Sequence, residues 1–211
     1  MGSGGGFVGT EEELRQRVEE AKADVDVAVF LGAPMIRLFG GHVPEGVEDR
    51  EPLWGPMIRC FQEVADYAAT KGIIVGLQNH DNRNMAATGD DVLRILRETD
   101  RENFTFILDT GQWKGSIGAH PRGEFDPDVD IYRYMEQTAP YASYVRAKIY
   151  KIDSGREEWI DYKRVIKILK AVNFNGSLSI VFEGQGNRCE DAEAIRLAVK
   201  HLRELLALYG G

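Results

Sequence analysis

Apolar residues recur along the chain with two alternating periods. After Thr10, the residues Leu14, Val18, Ala21, Val25 and Ala28 follow at spacings of four and three, which is the signature of one buried helix face. Thr10 and Glu13 have the form of a capping box at its start, so a helix is predicted to run to about Gly32. Met35 to Gly41 (MIRLFGG) reads as a strand closed by two glycines. Pro56, Ile58, Phe61, Ala65 and Ala68 then define a second helix ending at Gly72, where glycine supplies a left-handed stop. Gly72 to His80 (GIIVGLQNH) is the second strand. The third helix centres on Val92, Ile95 and Leu96, and the third strand is Phe104 to Asp109 (FTFILD). A fourth helix spans Pro127 to Thr138 and stops before Pro140. It precedes a strand at Tyr144 to Ile152, a helix at Asp161 to Val172, a strand at Ser177 to Glu183 and a last helix from about Asp191 to Leu208. Six helices and five strands in strict alternation predict an α/β fold built on a parallel sheet.

The first six residues, MGSGGG, carry no such pattern and are read as a flexible glycine-rich tail or cloning scar. Residues 7–211 are expected to form a single domain.

Composition narrows the partners. The 211 residues hold 26 Lys and Arg against 34 Asp and Glu, a formal charge of −8, with 43% hydrophobic residues. That is enough apolar material for a core, yet no apolar run reaches the roughly 20 residues of a membrane span. The acidic balance without a basic stripe argues against nucleic acid. Cys60 and Cys189 stand 129 positions apart without a CxxC motif and read as reduced thiols, so the expected location is the cytoplasm.

Ligands of parallel sheets bind beyond the carboxyl ends of the strands, and here those ends are polar. Arg37 and His42 flank the first; Gln78, Asn79, His80 and Asp81 end the second; Asp109, Gln112 and Trp113 end the third. Arg146 and Lys148 share one face of the fourth, and Glu183 and Gln185 end the fifth. A lysine buried in that fourth strand needs a partner. Trp113 is a candidate stacking surface for a ligand, Trp54 reads as packing at a helix start, and the charges of SGREEWIDY (Ser154 to Tyr162) read as solvated.

Five segments in this order, IRLFGG, LQNH (Leu77 to His80), LDTGQW (Leu108 to Trp113), VRAKIY (Val145 to Tyr150) and FEG (Phe182 to Gly184), resemble the sugar phosphate isomerase and epimerase superfamily, the xylose isomerase-like TIM barrels. The resemblance runs from about Phe7 to the C-terminus. It implies a carbohydrate isomerase or epimerase that transfers a proton alpha to the carbonyl of a sugar or keto-sugar, with a divalent metal (manganese, magnesium, cobalt or zinc) held by Glu, Asp, His and Glu. Asp109 and Glu183 match two of those ligands, whereas Gln78 stands at the first Glu and Arg146 at the His.

Those departures imply a degenerate metal site. An amide oxygen brings no charge, and arginine cannot ligate. One reading has Arg146 paired with Asp109, Glu183 or both as the electrostatic centre in place of a metal. The other keeps a weak metal on Asp109, Glu183 and Gln78, with His80 as a further ligand. By resemblance Glu183, Asp109, Arg146, Lys148 and His80 are the catalytic candidates, and Arg37, His42, Asn79, Gln112 and Trp113 the substrate-binding ones. The chain has only His42, His80, His120 and His201 and a net charge of −8, which argues against the histidine-rich DNA-repair branch.

The family barrel has eight strands and about 250 residues, so the chain is expected to be a partial barrel lacking the first three. Its open edges would then be covered by self-association into a homo-oligomer. A catalytically inactive or engineered fragment that binds a sugar-like ligand is the alternative to an enzyme.

Overall fold

The computed structural model describes residues 2–81, 83–118, 125–184 and 189–210. The chain divides into two compact units, residues 1–107 and 108–211. Among the described residues no helix is long and apolar enough to cross a membrane.

The first unit contains β1 (Gly2–Gly6), α1 (Glu11–Leu31), β2 (Met35–Phe39), α2 (Glu51–Thr70), β3 (Ile74–Gln78), α3 (Gly89–Thr99) and the first part of β4 (Phe104–Asp109). Its strands pair in chain order and in parallel, with Ile36 beside Val75, Leu38 beside Leu77 and Leu77 beside Phe106. Those side chains are fully buried, as expected of a parallel sheet covered on both faces. Phe61 from α2 joins Phe7 and Phe104 at ring-centroid distances of 5.0 and 5.1 Å. The capping box predicted at Thr10 is present, and Thr88 forms another with Asp91 at the start of α3.

The second unit contains the end of β4, then α4 (Ile131–Thr138), β5 (Ala142–Ile149), α5 (Tyr162–Ala171), β6 (Ser177–Phe182) and α6 (Asp191–Tyr209). β5 and β6 pair in parallel from Tyr144 beside Ser177 to Ile149 beside Phe182. Val145, Ala147 and Ile149 are buried, as are Val165 and Leu169 of α5 and Ala194, Ala198 and Leu202 of α6. α4 begins later than its apolar pattern suggests, because Asp130 stays extended and its side chain accepts the Tyr132 N–H as an N-cap.

The expected five strands and six helices are therefore all present, as β2 to β6 and α1 to α6. The glycine-rich start corrects the expectation of a tail: Gly2 to Gly6 form β1, with Gly2 beside Arg37 and Gly6 beside Phe39. Its strand carries almost no side chains, so it leaves no mark in the hydrophobic period. Glycine is nonetheless required at its end, because a Cβ on Gly6 would lie 2.1 Å from the Gly41 Cα. Gly41 in turn has φ +102°, a conformation that side chains disfavour.

Gly6→Ala is expected to lower the stability of the chain by about 1–3 kcal/mol or more in urea denaturation, since backbone must move to admit the methyl group. An unchanged midpoint would mean that β1 does not hold this register.

Candidate active site

The polar strand ends of the second unit meet in one chain of alternating charges. The Arg146 Nε donates to Asp109 Oδ2 at 3.2 Å, the Lys148 Nζ lies 3.5 Å from the same oxygen, and the Lys148 Nζ donates to Glu183 Oε1 at 2.6 Å. Asp109 is wholly buried and the Lys148 side chain is 2% exposed, while Arg146 and Glu183 are 23% and 39% exposed. The group therefore opens to solvent on its Arg146 and Glu183 ends. Burying the Asp109 carboxylate and the Lys148 ammonium is tolerable only because each is paired.

The backbone fixes this geometry. Residues two apart in a strand share a face, so β5 presents Arg146 and Lys148 together. Thr110, just after β4, donates its N–H to the Arg146 carbonyl at 3.1 Å and accepts the Lys148 N–H on Oγ1 at 3.0 Å. The Tyr162 hydroxyl donates to the Lys148 carbonyl at 2.6 Å. Tyr162 is completely buried, and burial holds its hydroxyl protonated well above the ordinary tyrosine range. Gly111 donates its N–H to Asp109 Oδ1 at 3.1 Å. A Cβ on Gly111 would sit 2.7 Å from the Lys148 Cγ, so glycine there leaves room for the lysine stem.

The loop after β5 is organised by a carboxylate that the sequence reading took as solvated. Glu157 is buried and accepts the N–H groups of Tyr150 and Lys151 on Oε2, at 2.8 and 3.0 Å, and that of Trp159 on Oε1, at 2.9 Å. Burial pushes its pKa up although these bonds pull it down. The Tyr150 hydroxyl, at the base of the same loop, donates to the Gly111 carbonyl at 3.2 Å.

In the first unit, Gln78 accepts the Arg37 Nη1 on its amide oxygen at 3.3 Å, and the Arg37 guanidinium lies over the Phe39 ring at 4.7 Å. His80 points its Nδ1 at Asp81, 3.1 Å from the buried carboxylate and 3.3 Å from the carbonyl. His42 meets the His80 ring edge-on at 6.0 Å. Asn79 is buried. In the second unit Gln112 is buried, and Trp113 is buried against Tyr134 at 5.6 Å. Trp113 thus packs as core rather than as an exposed stacking face. Trp54 is buried in α2, as read from the sequence, with the Arg94 guanidinium 4.2 Å from its ring centre. Cys60 and Cys189 form no disulfide. Asn82, His120 and Gln185 lie outside the described residues.

The sequence profile of the xylose isomerase-like TIM barrels matches residues 1–205. The chain belongs to that family. A D-tagatose 3-epimerase-like protein has a structure that superposes with a TM-score of 0.77 at 18% identity, covering 99% of this chain and 75% of that one. D-psicose 3-epimerase from Clostridium cellulolyticum H10, solved with D-tagatose, gives 0.74 at 15% identity, covering 95% and 74%. The IOLI protein, solved with a zinc atom, gives 0.73 at 16% identity, covering 97% and 74%. No curated protein sequence matches the chain.

The metal suggested by family and neighbours does not fit the residues of the second unit. Asp109 and Glu183 are oxygen donors of the right kind, but the Lys148 ammonium reaches both, and the Arg146 guanidinium takes the Asp109 oxygen from another side. A divalent ion placed on this pair would face two fixed positive charges at short range. Among the described residues no group of three or more His, Cys, Asp or Glu side chains is arranged to hold a metal ion. Of the pairings expected for Arg146, the one with Asp109 is present. Arg146 bonds Asp109, and Lys148 is the cation that spans both carboxylates.

Sequence reasoning singled out all four charged residues but not the groups that hold them. Thr110 and Gly111 stand inside the LDTGQW segment already quoted, whereas Tyr162 and Glu157 gave no signal that separates them from a surface helix start and a charged loop.

Calorimetric titration with manganese is expected to show at least a roughly tenfold gain in affinity for Lys148→Ala over the unaltered chain, and no gain for Arg146→His, which leaves the ammonium in place. A gain for Arg146→His alone would return the central role to Arg146.

Proposed function

We propose that this chain is a carbohydrate isomerase or epimerase that transfers a proton alpha to the carbonyl of a keto-sugar, with fixed side-chain cations in place of a metal. The observation that carries this reading is the Arg146, Asp109, Lys148, Glu183 chain, in which a carboxylate that reaches solvent is hydrogen-bonded to a buried ammonium. The family membership and the sugar epimerases among its structural neighbours support the same class.

In this mechanism Glu183 is the base. Its carboxylate removes the proton on the carbon beside the carbonyl, and charge flows to the carbonyl oxygen to form an enediolate. Lys148 and Arg146 are the cations that stabilise this oxygen, because a charge developing in a water-poor site is stabilised most by groups already oriented. Asp109 keeps the two cations apart and in place. Return of the proton to the neighbouring carbon gives an isomer, and return to the other face gives an epimer. Gln112, in the same unit, is a candidate contact for sugar hydroxyls.

The test is proton exchange. Keto-pentoses and keto-hexoses incubated with the protein in deuterium oxide are expected to lose the proton signal beside the carbonyl in NMR spectra. Glu183→Gln is expected to slow this by about 100-fold or more. Absence of exchange over the whole set of sugars, with the protein folded, would favour the alternative of an inactive relative that binds a sugar-like ligand.

A further inference from the structure

The strand β6 stands at an edge of the sheet: it pairs with β5 and, among the described residues, with no other strand. The Glu183 N–H donates to the Ile149 carbonyl of β5 at 2.9 Å, and backbone groups two residues apart point to the same side of a strand. Ser179 and Val181 therefore also turn their N–H and carbonyl groups toward β5, while Leu178, Ile180 and Phe182 turn theirs away from it. Among the described residues no backbone hydrogen bond reaches these three from the open side.

The side chains show the same opening. Leu178, Ile180 and Phe182 share one face of β6 and stand beside Val145, Ala147 and Ile149 of β5. Those β5 residues are fully buried, whereas every residue from Leu178 to Phe182 is only half-buried. The apolar layer thus reaches β6 and is left partly open there. Sheet edges are ordinarily protected by a charge, a proline or a bulge. The β6 segment SLSIVF has neither charge nor proline, and its register against β5 runs without interruption.

We infer that β6 joins two copies of this chain, edge to edge and antiparallel, about a twofold axis at Ile180. The open groups are backbone donors and acceptors at strand spacing, which another strand satisfies in full. The segment is also its own complement. A twofold axis at Ile180 sets Leu178 opposite Phe182 of the second copy and Ile180 opposite its own counterpart, so all three N–H groups and all three carbonyls find partners. Such apolar cross-strand pairs stabilise sheets. Glu183 falls opposite Ser177, a hydroxyl donor, so no like charges meet. In a chain of net charge −8, repulsion between copies is least along an uncharged strand. The inference does not rest on the proton-transfer reading of the Lys148 group.

Light scattering of the full chain during size-exclusion chromatography is expected to give twice the mass of one chain, falling toward the single mass on dilution. Ile180→Lys and Ile180→Glu each set like charges directly opposite one another, so each alone is expected to weaken association at least roughly tenfold. An equimolar mixture of the two sets Lys against Glu and is expected to restore the doubled mass. Hydrogen exchange on the unaltered chain reads the same strand without a substitution, and it decides the matter should a variant fail to fold. The Leu178, Ile180 and Phe182 amides are expected to be protected in the dimer and to lose that protection on dilution. The inference is overturned if the unaltered chain has the single mass at every concentration, if either variant alone keeps the doubled mass, if the mixture of folded variants does not restore it, or if exchange at the three amides does not change with concentration. None of these results bears on the sugar exchange experiment, so the two readings fail separately.

Discussion

The second unit is arranged around one ammonium group. Lys148 is almost wholly buried and still charged surroundings reach it from two sides, Glu183 at 2.6 Å and Asp109 at 3.5 Å. An isolated cation in that place would be untenable. The carboxylates make it tolerable, and Arg146 prevents Asp109 from carrying a surplus of negative charge. Everything nearby serves to hold these positions. Thr110 and Tyr162 grip the backbone of Lys148 on its N–H and its carbonyl, and the Gly111 N–H fixes the Oδ1 of Asp109.

This arrangement also explains how a family whose neighbours include a zinc-bound structure can contain a chain with an arginine and a glutamine among the expected ligands. The carboxylate pair meets positive charge from covalently attached side chains, Arg146 at Asp109 and Lys148 at both. In the first unit, the amide oxygen of Gln78 is the acceptor for Arg37.

Most of the fold was legible in the sequence, because burial here follows simple periods. The heptad-like face of α1, the glycine stop of α2 and the aliphatic runs of β2 to β5 each report packing that local chemistry dictates. β1 was not legible, since a strand of glycine and serine has no side-chain alternation to read, and only the contact between Gly6 and Gly41 shows why those residues are there. In the site, the charged residues were legible as polar groups at strand ends, and a pairing of Arg146 with Asp109, Glu183 or both was expected from charge. That Lys148 rather than Arg146 spans both carboxylates depends on side-chain reach across neighbouring strands, and the burial of Glu157 depends on how a loop folds back on its own N–H groups. Neither distance along the chain nor residue type encodes those.

The space beside Gly111 gives the lysine a sequence partner as well as a chemical one. With the Lys148 Cγ and the Tyr150 ring both 2.7 Å from where a Cβ would stand, no side chain at position 111 is compatible with the present residues at 148 and 150. The three positions therefore behave as one unit of change. A residue with a shorter stem at 148 lifts part of the demand for glycine, while Tyr150 continues to impose the rest.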